Sequence, residues 1–281
     1  MPNLFTILQT STLLALMLPQ VTHAGLPRPS NVPGGVALIA LGTLDGPRPQ
    51  AWLGEQPVLV AADGNRWYAV VGLALDSATG AHELRVNDGG ESKVHTFTVR
   101  AKRYPEQHVT LKDTSKVQLS PADEERALRE IATIQKLKRH WRNTQETDAE
   151  FLLPAEGRLA GRFGSRRIFN GEPRSPHSGL DVAVPSGTPI KASASGRVLA
   201  VDDYFFNGKT VFVDHGNGLI TMYCHLERPE VQAGDPVSKG QRLGLSGKSG
   251  RASGPHLHWS VILNGATVDP ELFIPARYQK K

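Results

Sequence analysis

Four histidines and one aspartate in the last 105 or so residues stand at spacings that permit shared chemistry. The stretch "SGPHLHWSVILNG" carries His256 and His258 on either side of Leu257. In an extended strand alternate side chains point the same way, so the two imidazoles share one face and Leu257 takes the other. A core rarely accepts two neutral imidazoles without partners. That face is expected to meet a metal, a substrate or water. "PHSGLDVAVPSGTPI" places His177 four residues before Asp181. An extended segment puts both on one side, as a helical turn also would. The Ser178-Gly179 pair and the Val-Ala-Val-Pro that follow favour the extended form. "TMYCHLERP" adds His225. On a regular strand Tyr223 shares its face and Cys224 takes the opposite one, so Cys224 is expected to point away from whatever His225 faces. It reads as a small buried residue rather than a thiolate ligand.

His177, Asp181 and one of the paired histidines form a three-ligand set of the N and O donors that zinc accepts, with a fourth position left open. Zinc lowers the pKa of a bound water from 15.7 towards about 7. The two remaining histidines then have work to do. One takes a proton; the other holds a developing oxyanion or protonates a leaving nitrogen. No His-Glu-x-x-His run occurs, which excludes a thermolysin-like arrangement.

Elements that position such a set are visible along the 281 residues, a length that suits two domains. Residues 25–112 read as short strands at 36–42, 57–63, 66–76, 82–88 and 93–101. They are separated by "DGP", "ADGN", "SATG" and "NDGG", the pattern of a small β-sandwich. No catalytic cluster is seen there, and His82, His95 and His108 read as surface or strand residues. Residues 113–150 hold a helix and a polar linker. Ser120 is the expected N-cap, Pro121 suits the first turn, and acidic residues lead while basic residues close. Leu128, Ile131, Ile134, Leu137 and Trp141 form its apolar stripe. Residues 151–281 return to strands dense in glycine and proline, with hairpin-like turns at "FFNGKT" and "HGNGL". The fold class is therefore mainly β: an N-terminal β-sandwich, a connecting helix and a C-terminal antiparallel β-domain.

Residues 1–24 resemble a secretory signal peptide, with cleavage expected after Ala24. No later stretch is long and apolar enough to span a membrane. Cys224 is the only cysteine, so no internal disulfide forms. The net charge of +5 fits an anionic cell wall or membrane surface. Nucleic acid is not expected as a partner, because no Lys/Arg run is interleaved with aromatics.

The motifs "HSGLD", "MYCHL" and "GPHLH", in that order and with "DHGNG" and "GDPVSKGQRLG" between them, resemble the LytM-type M23 family of zinc metallopeptidases. The resemblance covers residues 150–275. It implies one zinc ion held by His177, Asp181 and His258, with catalytic roles for His225 and His256. It implies that His215 is not a metal residue; His215 reads as a turn residue. Such enzymes cut peptide cross-links or stems of peptidoglycan, and exported Gram-negative relatives point to the periplasm and to a D-alanine–diamino acid bond. The N-terminal β-region resembles the accessory domain of exported members, which in some relatives occludes the zinc groove; a regulatory partner stays unnamed. Arg166 and Arg167 are candidates for meeting a substrate carboxylate through bidentate contacts. Two rival readings are a catalytically inactive LytM-like activator of a cell-wall amidase and a wall-binding module with structural zinc. Retention of all five positions favours the enzyme.

Overall fold

The computed structural model describes residues 25–109, 119–145, 147–169, 171–173 and 175–278. The expected leader, 1–24, and residues 113–118 of the expected helix-and-linker segment lie outside these residues. Six antiparallel strands open the chain: β1 (Val36–Thr43), β2 (Gln50–Leu53), β3 (Gln56–Asp63), β4 (Arg66–Gly72), β5 (Gly80–Asp88) and β6 (Glu91–Val99). They join in one continuous order, β1-β4-β3-β2-β5-β6. Strand alternation divides their apolar residues between two cores. Ala37, Val58, Val60, Ala69 and Val71 face the sheet's own interior together with Leu84, Val86, Phe97 and Val99. Val36, Leu59, Ala61 and Val70 face the other way, into the core of the C-terminal domain. At about 1.5–3 kcal/mol for each large apolar side chain fully buried, this shared core ties the two domains together. Asn264 completes the seam: its Oδ1 accepts from Gly72 N at 2.7 Å and its Nδ2 donates to Gly72 O at 3.0 Å.

A short strand, β7 (Glu106–Val109), leaves the first domain before the helix α1 (Pro121–Lys138). Ser120 caps α1, its side chain accepting from Asp123 N, and Lys136 and Lys138 occupy the last turn. The helix stops three residues short of Trp141. Its apolar stripe is also rotated from the one expected. Ala127 is buried, and Ile134 and Leu137 pack against Tyr204, Phe212 and Ile220. Leu128 and Ile131 are 62% and 45% exposed. The polar side chains decide this rotation: Glu130 Oε2 accepts from Phe205 N at 2.6 Å and Lys138 Nζ donates to Thr267 Oγ1 at 3.0 Å, which turns their face of the helix to the sheet. Among the described residues no helix is long and apolar enough to cross a membrane.

The remaining strands are β8 (Arg158–Leu159), β9 (Arg166–Phe169), β10 (Glu172–Pro173), β11 (Leu180–Ala183), β12 (Pro189–Lys191) and β13 (Gly196–Tyr204). They are followed by β14 (Gly208–Gly216), β15 (Leu219–Pro229), β16 (Pro236–Val237), β17 (Arg242–Ser246), β18 (Leu257–Leu263) and β19 (Ala266–Val268). Their central order is β16-β13-β14-β15-β18-β11-β8, with β12, β17 and β19 attached at the sides. Tyr223, Leu257, Trp259 and Val261 fill the core on one face of this sheet. Phe212, Met222, Cys224 and Ile262 pack with the helix on the other. A separate small sheet, β10-β9-β7, pairs the exit strand of the first domain in parallel with β9.

Candidate metal centre and active site

Strands β11 and β18 are antiparallel neighbours in which Asp181 is the direct register partner of His258. Facing partners share a side of the sheet, which puts carboxylate and imidazole together. His177 reaches the same point from the extended stretch before β11, as expected. That stretch is held by Gly164 N donating to His177 O at 2.8 Å and His177 N donating to Ser165 O at 2.9 Å. The glycine of "HSGLD" is required by space: a Cβ on Gly179 would lie 2.7 Å from His258 Nε2 and 2.5 Å from Trp259 O.

His177 Nε2, Asp181 Oδ1 and His258 Nδ1 form a triangle with all three edges 3.0 Å. The outer hydrogen bonds set the tautomers. His177 Nδ1 lies 3.2 Å from the carbonyl of Arg162, so it carries the proton and Nε2 presents its lone pair. His258 Nε2 lies 3.0 Å from Ser260 Oγ. That hydroxyl donates to Ser178 O at 2.9 Å and therefore accepts from His258, leaving Nδ1 unprotonated. Burial pushes the His258 imidazole down. Three lone pairs thus converge with no proton between them, which is a site for a cation. Ligands about 2.0 Å from a tetrahedral zinc stand ~3.3 Å apart, and the N, N, O donors are zinc's. The residues fit the ion, and among the described residues they are the one group of three or more that converges in this way.

Two further imidazoles border the triangle. The ring of His225 lies 4.7 Å from that of His256 and 6.1 Å from that of His258. Each fixes its Nδ1 on a main-chain carbonyl, His225 on Ser249 O at 2.9 Å and His256 on Gly254 O at 2.8 Å. Both Nε2 atoms are thereby proton acceptors, and that of His256 lies 3.8 Å from Asp181 Oδ1. Burial, opposed by the Ser249 contact, pushes His225 down to about 4, so it is neutral near pH 7.

His225 reaches this place by a departure from strand alternation. Lys209 pairs with Leu226 and Val211 with Tyr223, so Cys224 and His225 together oppose Thr210. His225 takes a positive φ of 62° in this bulge. Cys224 is the register partner of His258 and shares its side of the sheet. The expectation that Cys224 points away from the site is corrected by the bulge. The thiol is buried, as expected, and burial pushes it up to about 12. His215 is likewise not a turn residue. It lies buried within β14 and bonds Ser195 O at 2.9 Å and Thr221 Oγ1 at 2.8 Å. Arg166 lies exposed on β9, beside Pro105 and Glu106, with no hydrogen bond or ion pair to the five site residues. Arg167 occupies the next position of β9, with Gln107 as its register partner.

Residues 175–270 match the profile of peptidase family M23 and residues 29–102 that of the family's N-terminal domain. A crystal structure from Pseudomonas aeruginosa, assigned to peptidase M23, is 42% identical. It covers 87% of this chain and 95% of its own, with a TM-score of 0.74. The chain belongs to peptidase family M23. Among curated relatives, the peptidoglycan DD-endopeptidase ShyA of Vibrio cholerae is 38% identical over 126 residues, 44% of this chain and 29% of the relative. ShyC of the same organism is 39% identical over 115 residues, 40% and 26% of the two chains. The matched segment therefore spans under a third of those relatives. The family match over residues 175–270 contains His177, Asp181, His225, His256 and His258.

Proposed function

We propose that this protein is an exported zinc endopeptidase that hydrolyses peptide cross-links or stem peptides of bacterial peptidoglycan. One observation carries the reading: three unprotonated donors converge beside two imidazoles whose Nε2 atoms are free to take a proton. The names of ShyA and ShyC supply the substrate class and favour a bond between D-alanine and a diamino acid. The leader-like residues 1–24 support export, with the periplasm as the compartment.

His177, Asp181 and His258 would hold the ion. Zinc bound there supplies Lewis-acid polarisation and acidifies a water molecule. The chain's own groups do the rest. His225 Nε2 is neutral near pH 7 and is placed to accept the proton that the attacking water loses. The proton taken up by His225 can then be passed to the leaving nitrogen, and His256 Nε2, beside Asp181, is a second acceptor that can donate to the oxyanion only in its protonated form. Retention of all five positions favours the enzyme over the inactive-activator reading.

The test is digestion of purified peptidoglycan with a chelator control, followed by mass spectrometry of the released muropeptides. Chelator-sensitive release of peptides ending at D-alanine is expected. Intact cross-links and stems after treatment with zinc-loaded protein would overturn the reading.

A further inference from the structure

A cavity of about 510 Å³ lies between the two domains. Four cations, Arg28, Lys102, Arg103 and Arg162, face it with two carboxylates, Asp269 and Glu271. Glu271 is already engaged: Arg162 Nη1 donates to both its oxygens at 2.7 and 2.8 Å, and Arg28 donates to its main-chain carbonyl. Lys102 Nζ is 4.0 Å from Asp269 Oδ2, too far for a hydrogen bond, and lies over the Tyr104 ring at 4.5 Å. Arg103 is exposed and makes no ion pair among the described residues. Asp269 and Glu271 together balance only two of the four cations. The wall thus carries a positive excess centred on Lys102 and Arg103.

This wall adjoins the metal ligands. The Arg162 carbonyl accepts from His177 Nδ1. The preceding Gly161 packs so tightly on Asp181 that a Cβ would lie 2.3 Å from its Oδ2. Phe163, also in the wall, meets Tyr104 edge-on at 6.2 Å. The cationic recess, half of it built by the accessory domain, is thus linked to the candidate ligands through Gly161 and Arg162.

We propose that this cavity binds a free carboxylate of the wall peptide, with Lys102 and Arg103 as its cationic partners. The N-terminal domain then takes part in selecting the substrate. The inference rests on the proposed function for the identity of the peptide. Phosphate groups share the oxyanion chemistry, but a carboxylate on the bound peptide is delivered at high effective concentration.

The experiment is titration calorimetry of the zinc-loaded full chain with two synthetic stem tetrapeptides. They are identical except for a C-terminal carboxylate or carboxamide. The acid is expected to bind about tenfold tighter, the scale of a charge-assisted contact. The double variant Lys102→Ala, Arg103→Ala removes this preference and raises KM for peptidoglycan with kcat unchanged. The charge-keeping pair Lys102→Arg, Arg103→Lys restores it. Equal affinity for acid and amide, no binding of either, or a preference that survives the alanine pair overturns the proposal. Inorganic phosphate binding as tightly as the acid overturns the peptide assignment. Binding is read without turnover, so loss of hydrolysis by the parent chain counts against the proposed function and leaves the cavity's outcome separate.

Discussion

His258 Nδ1 and Asp181 Oδ1, register partners on β18 and β11, lie 3.0 Å apart with His177 Nε2 at the same distance from each. Removing the carboxylate leaves two neutral donors and an additional positive charge at the ion. Asp181→Ala is expected to lose stoichiometric zinc in elemental analysis. Hydrolysis should fall at least about 10³-fold, the scale of several kcal/mol of lost electrostatic stabilisation. Full zinc content in the variant would refute the ligand assignment.

Ser260 holds His258 in its metal-ready tautomer by accepting from Nε2 and donating to Ser178 O. Ser260→Ala should weaken zinc binding by about 10–100-fold while the ligands stay in place. Competition against a chromophoric chelator measures this directly, and unchanged affinity would contradict the tautomer.

His225 and His256 stand outside the donor triangle, with His256 Nε2 3.8 Å from Asp181 Oδ1. His225→Gln and His256→Ala should each keep zinc and lose kcat by about 10²–10⁴-fold. A variant that hydrolyses peptidoglycan at the parent rate would remove that histidine from the mechanism.

Gly179 leaves no room for a methyl group between β11 and β18. Gly179→Ala should cost about 1–3 kcal/mol in urea unfolding of the apo-protein. It should also weaken zinc binding, because the atom displaced first is on His258 or its neighbour Trp259. Unfolding and metal affinity equal to the parent would show that the strands can part without consequence.

His215 is fully enclosed, and burial, only partly offset by the Ser195 carbonyl, pushes it down to about 4. In the unfolded chain it titrates near 6.5. Between these values the unfolded state binds more protons, so the contribution of His215 is full above about pH 6.5 and is lost as the pH falls towards 4. The loss amounts to roughly 3 kcal/mol. Urea unfolding of the parent and His215→Gln between pH 4.5 and 7 should show the gap between them shrinking by about that amount at the acid end. A gap independent of pH would contradict the assignment.

Much of this protein follows from its residues in order. The pleat of a strand is a local property, so the common face of His256 and His258 was determined as soon as the strand was. The same holds for the extended His177–Asp181 pair, the Ser120 cap and most of the N-terminal strands; the four-residue β2 carried too short a pattern to be seen. Tertiary structure decided what depends on a partner. The bulge at Cys224–His225 exists because β14 offers one residue against two, and it alone brings His225 beside the donor triangle and leaves Cys224 on the same side. His215 is buried because Ser195 and Thr221 arrive from other strands to satisfy both ring nitrogens. Leu128 and Ile131 face solvent because Glu130 and Lys138 found partners on the sheet. The cationic cavity combines segments near residues 28, 102, 162 and 271. No local pattern links such distant stretches; only the packing of one domain on the other does.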